Sequence, residues 1–70
     1  MNKIERNKLV IGNYYYDVDC TSFGDKMEYT GSKDGWICFK PCSKKHSYVS
    51  DENEDGLIHF LKDGSPFYED

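Results

Sequence analysis

Five short apolar runs, each cut off within a few residues by Gly, Asp, Asn or Ser, divide this sequence, and none continues long enough to draw a helical stripe. Short apolar runs bounded by turn-forming clusters read as strands. The chain has 70 residues, eleven of them Phe, Trp or Tyr, which makes residues 1–70 a single domain. A chain of about this length buries only about 60% of its unfolded surface. Aromatics offset that thin margin, because each buries about 150–250 Å². The expected fold class is all-β: a small five-stranded barrel or a strongly bent antiparallel sheet, whose closure also removes exposed strand edges.

Residues 1–7 are polar and read as a flexible N-terminal arm. Residues 8–62 read as the barrel core and residues 63–70 as a tail packing back through Phe67 and Tyr68. In the first run, Lys8 to Asp19, alternation places Val10, Tyr14, Tyr16 and Val18 inside and Tyr15 outside. Gly12-Asn13 within it reads as a bulge, a sharp bend, or a turn between two strands. Cys20 to Gly24 reads as a loop with Phe23 as a plug. Asp25 to Thr30 alternates with Met27 and Tyr29 inside. Asp34-Gly35 is the strongest hairpin signal. Trp36 to Lys40 is the next strand, ended or placed at an edge by Pro41. His46 to Ser50 and Leu57 to Leu61 complete the five, separated by the acidic turn Asp51 to Gly56.

The stretch Phe23-Gly24-Asp25-Lys26-Met27-Glu28-Tyr29, the hairpin Thr30 to Trp36 and the strand Trp36 to Phe39 together resemble small SH3-like barrels of the KOW and Tudor type. The resemblance is one of layout and covers Leu9 to Leu61. The Pro and aromatic pairs of a peptide-binding SH3 groove are not evident. Size, acidity and a Lys-, Asn- and Tyr-rich composition are also similar to short accessory proteins of tailed bacteriophages. That likeness implies antagonism or redirection of a host protein.

Net charge is −4, which argues against general duplex binding, since that needs phosphate-neutralising Lys and Arg. The N-terminus has charges without a following apolar segment, and no run approaches the ~20 apolar residues of a membrane span. With three cysteines and no export signal, the expectation is a cytoplasmic protein with reduced thiols.

Cys20, Cys38, Cys42 and His46 form the sharpest chemical constellation, because three thiolates and an imidazole are a known structural zinc set. The spacing fits that set only in part, and the competing reading makes the cysteines small buried hydrophobes. Hence no cofactor is expected, with zinc as the alternative. Cys42 with His46, or Cys38 with His59, could be drawn as nucleophile–base dyads. A chain this short leaves little space for a pocket, so no enzyme activity is expected.

The aromatic surplus suggests a surface role. Trp36 to Lys40 and Leu57 to Leu61 are apolar on both faces, while a small antiparallel sheet normally keeps one face polar. Tyr15, Trp36 and His59 are therefore candidates for an exposed patch, with Lys40, Lys44 and Lys45 as a basic rim. The functional expectation is a non-catalytic protein-binding module whose partner is a host protein or a second copy. Single-strand binding by base stacking, weak DNA mimicry through Asp17, Asp19 and Asp51 to Asp55, and a zinc-stabilised binding domain are the alternatives.

Overall fold

The computed structural model describes residues 1–19, 26–42 and 55–69. Six strands appear among them: β1 (Asn2–Ile4), β2 (Tyr14–Tyr15), β3 (Met27–Lys33), β4 (Trp36–Pro41), β5 (Ile58–Leu61) and β6 (Phe67–Glu69). One 3₁₀ turn, Arg6–Lys8, is the sole helical element among the described residues. Strands β2-β3-β4-β5 form one antiparallel sheet and β1-β6 a second. Tyr16 and Tyr68 join the two, each N–H donating to the other's carbonyl at 2.8 and 2.9 Å. The fold is all-β, a strongly curled sheet that makes a half-barrel.

The β3–β4 hairpin forms where Asp34-Gly35 predicted it. Lys33 pairs with Trp36, and the two residues between them take φ of 52° and 86°, as a two-residue hairpin whose twist matches its strands requires. Beyond the hairpin, β3 carries a bulge between Tyr29 and Gly31, which sharpens the local twist and helps the sheet curl. Thr30 sits in the bulge and donates its hydroxyl to the Cys38 carbonyl at 3.1 Å.

The concave face collects the core. Tyr15, Met27, Tyr29, Ile37, Phe39, Ile58 and Phe67 are buried together, with Ile4, Leu9 and Phe60 packed at the margin. Phe39 is its centre. Its ring lies 4.9 Å from Phe67, 5.5 Å from Tyr29, 5.6 Å from Phe60 and 6.3 Å from Tyr15, centroid to centroid. These separations and tilts are the ones aromatic quadrupoles favour.

Tyr15 corrects the reading of the first run. It is completely buried, while Val10, Tyr14 and Val18 are exposed; Tyr16 is buried as expected. The cause is a tight turn. Asn13 N–H bonds the Val10 carbonyl at 3.1 Å, with Gly12 at φ +91°. The segment is therefore a turn and then a short strand, and alternation cannot be counted through the turn. A slip of one residue turns every side chain to the opposite face. Tyr15 pairs with inward-facing Met27 and so points inward too.

At the chain ends, the tail packs back through Phe67 as expected, while the polar start differs from the expected arm. The polar start is strand β1, paired with β6 from Asn2↔Glu69 to Ile4↔Phe67. Phe67 belongs to the core itself. Arg6 ties these parts together. Its Nε donates to the Ser65 carbonyl and its Nη1 to the Leu61 carbonyl, both at 2.7 Å. Its guanidinium also lies 4.7 Å from the Phe67 ring centroid, a cation–π contact over the end of the core. The expected strand His46 to Ser50, the Cys20 to Gly24 loop with Phe23, and Asp51 to Glu54 lie outside the described residues.

Candidate functional site: the outer face of the sheet

Residues directly opposite in an antiparallel sheet share a face, so register maps the convex side. One row runs Tyr14, Glu28, Lys40; a second Gly31, Cys38, His59; a third Lys33, Trp36, Leu61. Ile11 joins the second row, since a Cβ on Gly31 would meet its Cδ1 at 3.4 Å. Alternation along β4 explains the split: Ile37 and Phe39 enter the core, while Trp36, Cys38 and Lys40 face outward.

Trp36 and Leu61 stand side by side and are 40% and 62% exposed. Beside them on the same face lies the Cys38–His59 pair. The His59 ring is tilted 33° to Trp36 at 6.2 Å between centroids. Its Nε2 is 3.0 Å from Asp55 Oδ2, and the other Asp55 oxygen accepts the Leu57 N–H at 3.0 Å. Cys38, opposite His59, is only 2% exposed, although it lies on the side away from the core cluster. At the other end, Lys26 Nζ sits 4.8 Å from the Tyr14 ring centroid.

The electrostatics of this pair are local. Burial, with the carboxylates of Asp55 and Asp34, pushes the Cys38 thiol pKa up, against a smaller opposing pull from Lys33. Nucleophilic attack and metal ligation both need the thiolate, so Cys38 and His59 meet here as a neutral thiol beside an imidazole engaged with Asp55. The bond from Leu57 N–H, then that from His59, holds the Asp55 carboxyl below the usual carboxylate range. A depressed folded pKa stabilises the fold above the unfolded value, near 3.9, and that contribution disappears as pH falls through the folded pKa. Asp55→Asn should therefore lower the urea midpoint at pH 7, and the gap from the parent protein should close as pH is taken below about 3.9. A gap that persists unchanged into acid would assign the loss to packing rather than charge.

The candidates drawn from sequence are distributed as follows. Trp36, Lys40 and His59 share the outer face. Tyr15 does not, being part of the core. Lys44 and Lys45 lie outside the described residues, as do Cys20 and His46 of the zinc set. Cys38 and Cys42 are at opposite ends of an extended segment, about 13 Å apart at about 3.3 Å per residue. Among the described residues, no group of three or more His, Cys, Asp or Glu gathers as a metal would need. Tyr14, Leu61 and Ile11 were not singled out from sequence. The signal for Leu61 was present, because it shares strand parity with His59, and Tyr14 follows once Tyr15 is placed inside.

Among the described residues, no helix is long and apolar enough to cross a membrane. No family model matches the chain, and neither the curated proteins nor the solved structures include a significant match.

Proposed function

We propose that the chain is a non-catalytic protein-binding module that uses the outer face of its sheet. The observation that carries this reading is the exposed Trp36–Leu61 pair beside the packed Cys38–His59 pair, with the Trp36 ring tilted against His59. Trp and Tyr are the residues most enriched among interface anchors. A neighbour that holds an anchor ring in place, as His59 does for Trp36, reduces the ordering cost of binding. Lys33 and Lys40 flank the rings and suit a partner with carboxylates around an apolar hollow. In the manner of the phage accessory proteins it resembles, the module would occupy a surface of a cytoplasmic host protein as inhibitor or adaptor.

Trp36→Ala tests this. The exposed ring contributes about 1 kcal/mol to stability through its stacking, so the variant should keep the parental near-native spectrum and melt slightly earlier. Binding to partners captured from the native cytosol, or self-association in sedimentation, should fall by at least about 30-fold, as for an anchor worth about 2 kcal/mol. Unchanged capture and unchanged sedimentation by the folded variant would reject the outer face as the site. Loss of single-stranded DNA retention instead would move the role to nucleic acid.

A further inference from the structure

A second surface lies in the mouth of the half-barrel, on the concave side. There the 3₁₀ turn meets the inner side of the β3–β4 hairpin around a cavity of about 260 Å³. Arg6, Asn7 and Lys62 line this cavity and also a wider groove of about 690 Å³. Barrel mouths are a usual place for small ligands. The two spaces differ in charge. In the wider groove, Lys3 and Lys8 are offset by Glu5 and Asp63. In the smaller cavity the ionic lining is Arg6 and Lys62. Two positive charges therefore stand at the residues common to both, on a chain of net charge −4.

Arg6 is fixed in place. The Ser65 and Leu61 carbonyls take two of its five N–H groups. The Phe67 ring lies 4.7 Å from its Cζ. Gly64 also approaches closely, and a Cβ there would come within 2.9 Å of that Cζ. A guanidinium held this way loses little freedom when it takes up an anion. The rest of the smaller cavity suits an organic body better than a bare ion. Leu9 and Ile37 supply apolar wall. Tyr29 Oη and Ser32 Oγ stand 3.3 Å apart. A hydroxyl both donates and accepts, so these two can bond each other and a third hydroxyl.

We propose that the mouth binds a small phosphate monoester with a hydroxylated body, of the size of a pentose phosphate. Arg6 and Lys62 take the phosphate, Tyr29, Ser32 and Asn7 take the hydroxyls, and the carbon skeleton rests on Leu9 and Ile37. Charge selects phosphate over carboxylate. A phosphate monoester carries about −1.5 to −2 at pH 7 and balances both cations, whereas a carboxylate balances one. The site lies on the opposite side of the sheet from Trp36 and Leu61, so either can fail alone.

The test is a titration of the full ¹⁵N-labelled chain with ribose 5-phosphate at low salt, followed by amide shifts. Inorganic phosphate, ribose and ribonate are the comparison probes, and a six-nucleotide oligothymidine supplies phosphate in the form of a nucleic acid. Ribose 5-phosphate is expected to shift the Arg6, Asn7, Ser32 and Lys62 amides at lower concentration than any of the others. Lys62→Gln should weaken it about tenfold, and Ser32→Ala about threefold, with the remaining spectrum preserved. No shift of those amides at millimolar ribose 5-phosphate would overturn the proposal. So would any comparison probe acting at equal or lower concentration, or either variant binding as the parent does.

Discussion

Phe39→Ala is expected to remove about half or more of the fold's stability at 25 °C. Phe39 is fully buried and its ring meets Tyr15, Tyr29, Phe60 and Phe67. Large-to-small changes at such a site cost about 3–5 kcal/mol, from lost transfer energy plus the cavity left behind. A domain of this length has only about 4–10 kcal/mol in total. Four rings cannot collapse into the gap without leaving their tilted packing, so the cost should lie at the upper end. Urea denaturation followed by near-ultraviolet circular dichroism would measure it. A midpoint within experimental error of the parent's would mean that the aromatic cluster is not the core. Phe39→Leu should recover much of the loss, because it refills most of the volume.

Tyr15→Ala should be nearly as damaging, and Tyr15→Phe should divide the loss into parts. The ring is completely buried, while its hydroxyl accepts the Val10 N–H at 2.9 Å. Alanine removes both ring and bond and is expected to cost about 3–5 kcal/mol. Phenylalanine keeps the ring and frees the Val10 N–H. Val10 is 53% exposed, so water can take up that donor and the cost should stay near 1 kcal/mol. Val10 and Tyr15 are joined by this bond across the turn at Gly12, so the amides of residues 10–13 should lose hydrogen-exchange protection in Tyr15→Phe. A Tyr15→Ala variant of parental stability would restore the outward placement that alternation suggested and remove the inward one.

These two residues also show which inferences a sequence supports. Phe39 could be grouped with Ile37 on one face of its own strand, because they alternate with Trp36, Cys38 and Lys40 over an uninterrupted run, although both faces are apolar. Met27 and Tyr29 were legible in the same way. Tyr15 was not, since the tight turn at Gly12-Asn13 breaks the count within the run. For the outer face, parity along β4 set Trp36 and Cys38 opposite Ile37 and Phe39 without deciding which face is the core, and parity along β5 grouped Leu61 with His59. That Leu61 stands beside Trp36 depends on inter-strand register, which neither strand carries alone.

Local chemistry in the sequence determined the all-β class, the Asp34-Gly35 hairpin and the faces of the uninterrupted strands. Turn conformation and alternation act over a few residues and need no distant partner. Tertiary structure alone decided that the polar start becomes β1 and that β6 is its partner, with Lys3 opposite Tyr68. Those outcomes depend on pairing between residues at opposite ends of the chain, where geometry and the burial gained on closure, rather than neighbouring residues, select the arrangement.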